Sequence, residues 1–563
     1  MTDRANCSTS TTNWRQPKPL ATDVLEKPAR LLPKMKLEEL VTLLQLINIF
    51  QLVWFLLESF LYILRYPNKP AMIDIEKETT ETFEEFNAHC NRYANYFQGL
   101  GYRSGDVVAL YMENSVEFVA AWMGLAKIGV VTAWINSNLK REQLVHCITA
   151  SKTKAIITSV TLQNMLIDAI DQKLFKVDGI DVYSVGEPKK NSGFKNLQKK
   201  LDAQAISEPK TLDTVDFKSV LCFIYTSGTT GMPKAAVMKH FRYYSIAVGA
   251  AKSFGIRSSD RMYVSMPIYH TAAGILGVGQ ALLGGSSCVI RKKFSASNFW
   301  RDCVKYDCTV SQYIGEICRY LLAQPVVKEE SVHRMRLLVG NGLRAEIWQP
   351  FVDRFRVRIG ELYGSTEGTS SLVNIDGHVG ACGFLPISPL TKKMHPVRLI
   401  KVDDVTGEAI RTADGLCIAC NPGESGAMVS TIRKNNPLLQ FEGYLNKKET
   451  NKKIIRDVFA KGDSCFLTGD LLHWDRLGYS EFVQRVGARL SSSLTSYAIP
   501  QFIRICQDVE KTGTFKLVKT NLQRIGITDI PSDSIYIFNS ENRIFVPFDN
   551  DLRCKVSLGS YPF

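Results

Sequence analysis

One stretch in the middle of the chain combines the residue types that hold phosphate. It reads Phe223-Ile-Tyr-Thr-Ser-Gly-Thr-Thr-Gly-Met-Pro-Lys234 and overlaps the apolar run Val220–Tyr225. Glycines let backbone N–H groups approach a phosphate, hydroxyl groups can donate hydrogen bonds to its oxygens, and the lysine adds positive charge. The spacing differs from that of a Walker A loop. The sequence therefore predicts a phosphate-binding loop of another type, directly after a β-strand.

The sequence around this loop alternates between helix and strand patterns. A helix is predicted over Thr82–Leu100, where Thr82 and Glu85 are spaced for a capping box, and another over Ser115–Ile128. Strands are predicted at Val107–Tyr111, Ala155–Thr158, Leu221–Tyr225 and Met262–Ser265. Strands separated by helices are typical of α/β layers with largely parallel sheets. The polar, Lys-rich stretch Lys189–Lys210 predicts a surface loop.

Composition excludes several classes of protein. The chain has 563 residues, of which 45% are hydrophobic and 22% are charged, as in soluble globular proteins. Wholesale disorder, a collagen-like chain and a multi-pass transporter are excluded. The 69 Lys and Arg residues exceed the 55 Asp and Glu residues, which favours phosphates or acidic membrane surfaces as partners. Nucleic acid ranks last because no RNA-binding aromatic motif accompanies the charge. A basic surface without a dedicated partner stays open.

The cysteines do not form a disulfide framework. Fourteen of them are scattered along the chain, which predicts reduced, mostly buried thiols in a cytosolic setting. Cys417 and Cys420 form the C-x-x-C pair of the sequence. A strand ending in a turn at Asn421-Pro422-Gly423 is favoured there over a zinc site, because no second pair or histidine is nearby.

The amino-terminal region predicts a membrane anchor. Residues 1–36 form a polar, basic tail, and a hydrophobic helix is expected at 37–65. No residue from Leu40 to Leu57 is charged, but Gln45, Asn48 and Gln51 gather on one side of a helix. That pattern favours a helix lying in the membrane interface over one that spans the bilayer. A buried amphipathic helix of a soluble domain is the alternative.

Several motifs resemble those of one enzyme superfamily. Tyr225-Thr-Ser-Gly-Thr-Thr-Gly-Met-Pro-Lys234 is similar to the AMP-binding signature of the adenylate-forming enzymes, and Gly340-Asn-Gly-Leu-Arg344 is similar to their adenine loop. Tyr363-Gly-Ser-Thr-Glu367 and Leu467-Thr-Gly-Asp470 follow in the order that the superfamily shows. The finer motif Phe441-Glu-Gly-Tyr-Leu-Asn446 resembles the fatty acid transport proteins, also called very-long-chain acyl-CoA synthetases.

The resemblance implies a fold and a reaction. The fold is an α/β adenylate-forming enzyme with a large AMP-binding domain at 66–470, which includes a β-rich subdomain, and a shortened α+β carboxyl-terminal domain at 471–563. A long-chain or very-long-chain fatty carboxylate would attack the α-phosphorus of Mg-ATP and give an acyl-adenylate and pyrophosphate. The thiol of CoA would then displace AMP. The enzyme would be membrane-associated, at the endoplasmic reticulum or plasma membrane, with its catalytic domain facing the cytosol.

The resemblance also implies which residues bind the nucleotide. These residues are Tyr225, Thr226, Ser227, Gly228, Thr229, Thr230, Gly231, Met232, Pro233, Lys234, Gly340, Asn341, Gly342, Tyr363, Asp470 and Arg485. Within this set, Tyr363 would stack on adenine, and Asp470 would accept hydrogen bonds from the ribose hydroxyls.

The remaining implied roles are catalytic. Glu367 and Thr226 would be ligands of Mg²⁺, which prefers oxygen atoms, and Thr366 would bind the α-phosphate. Lys516 would stabilise the transition state of adenylation. His270 lies where the family lines its acyl tunnel, and a purely structural role for it stays open.

The sequence departs from the family after Arg485. Val486–Pro500 passes almost at once to the segment before Lys516, so that the family's hinge and one strand motif are missing. We expect Ile535–Ile537 and Ile544–Val546 to supply two edge strands of the shortened domain. The rival function is therefore a membrane-associated binder of fatty acid and nucleotide whose turnover is impaired.

Overall fold

Strands and helices alternate through most of the chain. The structure is a computed structural model that describes residues 64–175, 179–210, 214–226, 232–388, 391–392, 395–403, 407–433, 436, 439–485, 502–505, 534–539 and 544–557. The strands as far as residue 374 are β1 (Pro70–Asp74), β2 (Thr79–Thr82), β3 (Val107–Tyr111), β4 (Val131–Trp134), β5 (Ala155–Ser159), β6 (Asp181–Val185), β7 (Lys195–Asn196), β8 (Val220–Thr226), β9 (Lys234–Lys239), β10 (Arg261–Val264), β11 (Ser287–Ile290), β12 (Val310–Ile314), β13 (Leu337–Asn341), β14 (Arg358–Tyr363) and β15 (Leu372–Asn374).

The α-helices range from single turns to seventeen residues. They are α1 (Phe83–Gly99), α2 (Val116–Lys127), α3 (Arg141–Ala150), α4 (Gln163–Asp171), α5 (Leu197–Asp202), α6 (His240–Phe254), α7 (Thr271–Ala273), α8 (Gln280–Leu283), α9 (Phe299–Lys305), α10 (Gly315–Leu322), α11 (Glu329–Val332), α12 (Ala345–Phe355), α13 (Lys447–Asn451) and α14 (Asn550–Ser557). A 3₁₀ turn, Val160–Leu162, precedes α4, and a π-helix, Gly274–Gly279, joins α7 to α8.

Two large sheets carry the first fifteen strands. The first sheet has the order β7-β6-β5-β3-β4-β8-β9, and the second has the order β15-β14-β13-β12-β10-β11-β1-β2. Neighbouring strands are parallel except in the pairs β8–β9, β1–β2 and β14–β15 at the sheet edges. The predicted α/β layers with largely parallel sheets are confirmed.

Helices cover the first sheet on both faces. Val108 and Leu110 of β3 belong to a large apolar core that also contains Met72 of the second sheet and Trp122 of α2. Ala109 and its odd-numbered neighbours in β3 point to the other face, where they pack with residues of α3 and α4. Because both faces are buried, the loops at the carboxyl ends of the strands are the places where polar groups can meet a ligand.

The predicted starts of two helices are confirmed. The Thr82 hydroxyl accepts a hydrogen bond from the Glu85 backbone N–H at 3.2 Å, and the Glu85 carboxylate accepts one from the Thr82 N–H at 2.8 Å. This is the predicted capping box of α1. The Ser115 hydroxyl caps α2 by accepting from the Phe118 N–H at 3.2 Å.

A β-rich subdomain and a small third sheet complete the described fold. The subdomain contains β16 (Ala381–Phe384), β17 (Val397–Ile400), β18 (Ser425–Thr431), β19 (Ile454–Arg456), β20 (Ser464–Trp474) and β21 (Tyr479–Arg485). The small sheet has the order β22 (Phe502–Ile505), β23 (Ser534–Asn539) and β24 (Ile544–Pro547). Asp470 therefore lies within β20, opposite Arg485 of β21.

Two sequence predictions were wrong in detail. Lys189–Lys210 is not a continuous loop, because it contains β7 and α5; Leu197 and Leu201, four residues apart on one helix face, are buried. Ile535–Ile537 is not part of an edge strand, because β22 pairs with β23 on the side away from β24. Phe502–Ile505, which forms β22, is not among the strands predicted from the sequence.

The C-x-x-C pair carries no metal ligand cluster. Cys417 and Cys420 are buried free thiols, and the chain turns immediately afterwards, at Gly423, where φ is +93°. Throughout the described ranges, no group of three or more histidine, cysteine, aspartate or glutamate side chains is arranged to hold a metal ion. The turn predicted from the sequence is confirmed, but the strand is not, because Cys417 and Ala419 form isolated bridges with Arg411 and Ile400 instead of a continuous strand.

The basic tail and the predicted membrane anchor at 37–65 lie outside the described residues, except for Leu64 and Arg65 at the end of the anchor. Among the helices that are described, none combines the length and the apolar character needed to cross a bilayer.

A buried ionic network ties α1 to α2 and to β2. The two ring nitrogens of His89 lie 3.1 Å from a Glu81 carboxylate oxygen and 3.0 Å from Glu117 Oε2. Tyr93 donates a further hydrogen bond to Glu117 at 2.9 Å. Burial opposes the charge on His89, but the hydrogen bonds and charges of Glu117 and Glu81 outweigh it and raise the pKa of His89 to about 9.

This network predicts that the fold becomes less stable at alkaline pH. Since the folded pKa of His89 lies above its usual 6.5, its contribution is complete below about pH 6.5 and is lost as the pH rises through about 9. We expect the wild type to have a higher free energy of unfolding than His89→Gln at pH 6. This margin should be about 3 kcal/mol smaller at pH 10. Denaturant unfolding of both proteins at both pH values measures this difference, and an equal margin at the two values would contradict it.

Candidate functional site

Several of the predicted site residues lie at or just after the carboxyl ends of three strands from the two large sheets. Thr226 is the last residue of β8, Asn341 is the last of β13 and Tyr363 is the last of β14. Thr366 and Glu367 follow β14 in the next turn. The strand ends thus collect residues that are up to 137 positions apart in the sequence.

The phosphate-loop prediction falls on a β-hairpin. Thr226 of β8 pairs with Lys234 of β9, and the Thr226 hydroxyl lies 3.4 Å from the Lys234 carbonyl oxygen. The paired residues close the loop between them, of which Ser227–Gly231 lie outside the described residues. Thr226 and Lys234 therefore stand at the two ends of the loop, here called the loop mouth. Their hydroxyl and ammonium groups are the kinds of group that a phosphate site needs.

The other predicted loop residues differ in what they can offer. Tyr225 is buried, and its hydroxyl donates to the Cys147 carbonyl oxygen at 2.6 Å, so its side chain faces the core. Pro233 offers its carbonyl oxygen to His146 Nε2 at 3.0 Å, and Met232 is 36% exposed.

The two predicted Mg²⁺ ligands converge on one hydroxyl group. Tyr444 donates to Glu367 Oε1 at 2.7 Å, and the Thr226 side chain is close enough to lower the pKa of the same hydroxyl. Burial, followed by the charge of Glu367, raises the pKa of Tyr444 above its ordinary value. The Tyr444 hydroxyl therefore lies between Glu367 and Thr226, and both of these side chains offer oxygen atoms, the ligand type that Mg²⁺ prefers.

A buried arginine supports the turn that carries Thr366 and Glu367. The Nη2 atom of Arg242, in α6, donates to the Thr366 carbonyl oxygen at 2.9 Å and to the Gly368 carbonyl oxygen. Burial lowers the pKa of Arg242 to about 10, although the charge of Glu367 opposes this shift. The Thr366 hydroxyl lies 2.9 Å from that of Thr271, the first residue of α7.

His270 immediately precedes α7. Its backbone carbonyl accepts hydrogen bonds from Ala273 and Gly274, and its ring centroid lies 4.8 Å from that of Tyr269. The histidine is therefore the chain neighbour of Thr271, which contacts Thr366. Its predicted place in an acyl tunnel stays a prediction.

The predicted adenine and ribose residues are joined by a hydrogen bond. The Tyr363 hydroxyl donates to Asp470 Oδ2 at 2.6 Å. Burial and the nearby Asp470 charge raise the pKa of Tyr363 well above its ordinary value, so that the phenol stays a donor. The register of β20 and β21 puts Arg485 opposite Asp470, and Lys516 lies outside the described residues.

A buried carboxyl group holds the predicted adenine loop. Glu361, two residues before Tyr363, accepts hydrogen bonds from the backbone N–H groups of Gly342 and Leu343 and from the Tyr313 hydroxyl. Gly342 has φ of +79°, which favours glycine. A Cβ at Gly340, within the same loop, would lie 2.0 Å from the Tyr313 carbonyl oxygen.

Comparison with known proteins identifies the family. The model of the AMP-binding enzyme family matches residues 62–429. Long-chain fatty acid transport protein 1 of Mus musculus is 40% identical to the chain, over 88% of the chain and 86% of the relative. The chain belongs to the long-chain fatty acid transport protein family of AMP-binding enzymes. The resemblance inferred from the motifs is confirmed.

Further members of the family match over similar shares of their length. The Homo sapiens long-chain fatty acid transport protein 1 is 38% identical over 88% of the chain and 86% of the relative. The Rattus norvegicus long-chain fatty acid transport protein 2 is 33% identical over 86% of the chain and 88% of the relative.

Solved structures confirm the predicted fold class. A benzoate CoA ligase from Burkholderia xenovorans matches with a TM-score of 0.62 at 19% identity, over 77% of this chain and 80% of that one. The anthranilate CoA ligase in complex with anthranoyl-AMP matches with a TM-score of 0.61 at 21% identity, over 74% and 75% of the two chains. At such identities, the likeness establishes the fold of this family member.

Sequence reasoning missed four residues that touch the predicted site: Arg242, Glu361, Tyr444 and Glu449, the last of which forms an ion pair with Lys234. Arg242 stands out in the sequence only as a charge in the amphipathic pattern of α6. Tyr444 lies inside a motif that suggested the family, but nothing in that motif indicated its contact with Glu367. Glu361 could have been found from its position two residues before Tyr363, because alternate residues of a strand share one face.

The buried Glu361 predicts a pH effect on stability. Burial raises its pKa from 4.5 to about 8, against the effect of its three hydrogen-bond donors. A raised carboxyl pKa gives stability that is complete below about pH 4.5 and is lost as the pH rises through about 8. Glu361→Gln keeps the shape of the neutral acid without its titration. We therefore expect the unfolding free energy of the wild type, relative to Glu361→Gln, to fall by on the order of 4 kcal/mol between pH 5 and pH 9.

Denaturant unfolding across this pH range, with the two proteins in parallel, measures that change. A difference that stays constant with pH would show that Glu361 keeps the same protonation state in the folded and unfolded chains.

Proposed function

We propose that this family member is an ATP-dependent long-chain or very-long-chain fatty acid CoA ligase. The observation that carries the proposal is the convergence of Thr226, Lys234 and Glu367 at the mouth of the β8–β9 loop. A chain of the AMP-binding family needs a cation, hydroxyl groups and a carboxylate at this place to hold Mg-ATP.

The first half-reaction requires an anion to approach a polyanion. Lys234 and the loop would hold the β- and γ-phosphates, and Thr366 would bind the α-phosphate. Glu367 and Thr226 would hold Mg²⁺, which neutralises phosphate charge when bound. Charge neutralisation and positioning then supply most of the catalysis, because the carboxylate of the fatty acid is itself the nucleophile.

The nucleoside would be held by a second group of residues. Tyr363 would present its ring to adenine, and its hydroxyl fixes the Asp470 carboxylate through the 2.6 Å hydrogen bond. Asp470 can then accept hydrogen bonds from the ribose hydroxyls with its remaining lone pairs. Arg485 and the adenine loop Gly340–Gly342 would complete this part of the site.

The second half-reaction transfers the acyl group from AMP to the thiol of CoA. Lys516 would act in adenylation, and rotation of the carboxyl-terminal domain would expose the adenylate to CoA, as hinge motions do in many enzymes. The alignment with the mouse protein is 566 positions long, but only 88% of this chain's 563 residues take part in it. At some positions of the alignment, a residue of the mouse protein therefore has no counterpart in this chain. This supports a missing internal segment.

We place the enzyme on a membrane. The uncharged stretch Leu40–Leu57 would lie in the interface, with the basic tail on the cytosolic side, where ATP is available. Esterification to CoA would trap an entering fatty acid, because the product is too polar to leave through the bilayer. This coupling would join uptake to activation.

The ligase proposal is tested by measuring two products in parallel. The full chain receives a long-chain fatty acid, ATP, Mg²⁺ and CoA, and pyrophosphate release and acyl-CoA formation are both followed. We expect both products, and a loss of at least about a hundredfold in Lys516→Ala because a charge on the transition state is left without its partner. Lys519→Ala is the matched control and should retain activity.

The outcomes separate the proposed enzyme from its rival. Pyrophosphate without acyl-CoA would restrict the protein to the first half-reaction. Neither product, with ATP still bound, would identify a binder of fatty acid and nucleotide and contradict the ligase.

The proposed metal ligands give a separate prediction. Chelation of Mg²⁺ with EDTA should abolish pyrophosphate release, and Glu367→Gln should raise the Mg²⁺ concentration needed for half-maximal rate by about tenfold or more, because an anionic ligand is lost. A Mg²⁺ titration of both proteins measures this concentration. Equal requirements would exclude Glu367 as a ligand.

A further inference from the structure

One segment of the β-rich subdomain crosses the hairpin that carries the phosphate loop. Residues 441–452, here called the crossing segment, include α13. The backbone of the segment pairs with β9: the Val237 N–H donates to the Gly443 carbonyl at 3.0 Å, and the Leu445 N–H donates to the Ala235 carbonyl at 3.0 Å. The crossing segment is therefore fixed beside the loop mouth.

Two ion pairs fasten the crossing segment to β9. Glu442 pairs with Lys239 at 2.9 Å, and Glu449 pairs with Lys234. The side chains of both pairs are mostly covered, with exposed fractions between 15% and 23%. Of the two lysines, only Lys234 belongs to the proposed phosphate site, so that one pair occupies the very cation that would bind ATP.

Glu449 has a second cation within reach. The Lys452 Nζ atom lies 2.6 Å from Glu449 Oε1, and the Lys452 side chain is 65% exposed. The hydrogen bonds and charges of Lys234 and Lys452 lower the pKa of Glu449 to about 2, so the carboxylate stays charged at neutral pH. If Lys234 moves away, Glu449 keeps a counter-ion.

We propose that Glu449 takes the place of the triphosphate on Lys234 and that the incoming β- and γ-phosphates displace it. The inference rests on the proposed function, since it requires Lys234 to bind ATP. On displacement, Lys234 exchanges one carboxylate for phosphate oxygens, while Glu449 remains paired with Lys452. No charge is left buried without a partner in either state, so the free-energy cost of the exchange is small.

Displacement would also select among nucleotides. ATP and inorganic tripolyphosphate carry the consecutive phosphates that can compete with a carboxylate for Lys234. AMP lacks β- and γ-phosphates and would leave the Lys234–Glu449 pair intact. Glu449 therefore weakens the binding of ATP and tripolyphosphate but has no effect on AMP.

The test is equilibrium binding of Mg-ATP, tripolyphosphate and AMP to the full chain. Glu449→Gln should bind Mg-ATP and tripolyphosphate about fivefold more tightly than the wild type, which corresponds to the loss of one partly exposed ion pair. Its affinity for AMP should be unchanged. Glu442→Gln is the matched control, because it makes the same substitution in the other ion pair of the crossing segment.

A second variant acts in the opposite direction. Lys452→Gln removes the cation that would keep Glu449 paired after displacement, so it should weaken the binding of ATP. This variant also keeps the proposal testable if Glu449→Gln does not fold, which thermal unfolding of each protein will show.

Other outcomes would overturn the inference. Unchanged or weaker ATP binding by Glu449→Gln would show that Glu449 does not compete with phosphate. Equal tightening by Glu442→Gln would assign the effect to the docking of the whole crossing segment. A wild type that binds neither ATP nor tripolyphosphate would contradict the proposed function itself, which separates the two failures.

Discussion

Burial of both faces of the first parallel sheet is the constraint on which the site depends. Such strands must be apolar along their length, so the polar residues that can reach a ligand are confined to the loops after their carboxyl ends. Thr226 at the end of β8 follows this rule in the first sheet, and Tyr363 at the end of β14 follows it in the second. Residues far apart in sequence meet because the strands that carry them end close together.

The sequence was sufficient to predict the parts of the fold that follow from local chemistry. The capping box of α1 depends on two side chains three residues apart, and the strand β3 depends on a run of five apolar residues. Each pattern is contained within one element, and the structure confirms both. The phosphate-loop prediction uses the same kind of local pattern, because its hydroxyl, glycine and lysine residues are contiguous, and its role in binding phosphate stays a prediction.

Contacts between distant elements could not be read from the sequence. Arg242 supports the turn after β14 from a helix more than a hundred residues earlier, and no local pattern links them. The strand β22 was not predicted because it forms by pairing with β23, which comes from a later part of the chain. A pairing between separate segments leaves no local pattern in the sequence. The Lys-rich stretch failed as a loop prediction since two buried leucines outweigh the surrounding charges in forming α5.

The crossing segment has another consequence, which concerns the edge of the first sheet. β9 is the last strand of that sheet, and an uncovered edge strand presents free N–H and C=O groups to which another chain can add. Gly443 and Leu445 use the groups of Val237 and Ala235 that would otherwise be available. The same backbone pairing that holds a carboxylate next to Lys234 therefore also protects the protein from edge-to-edge aggregation.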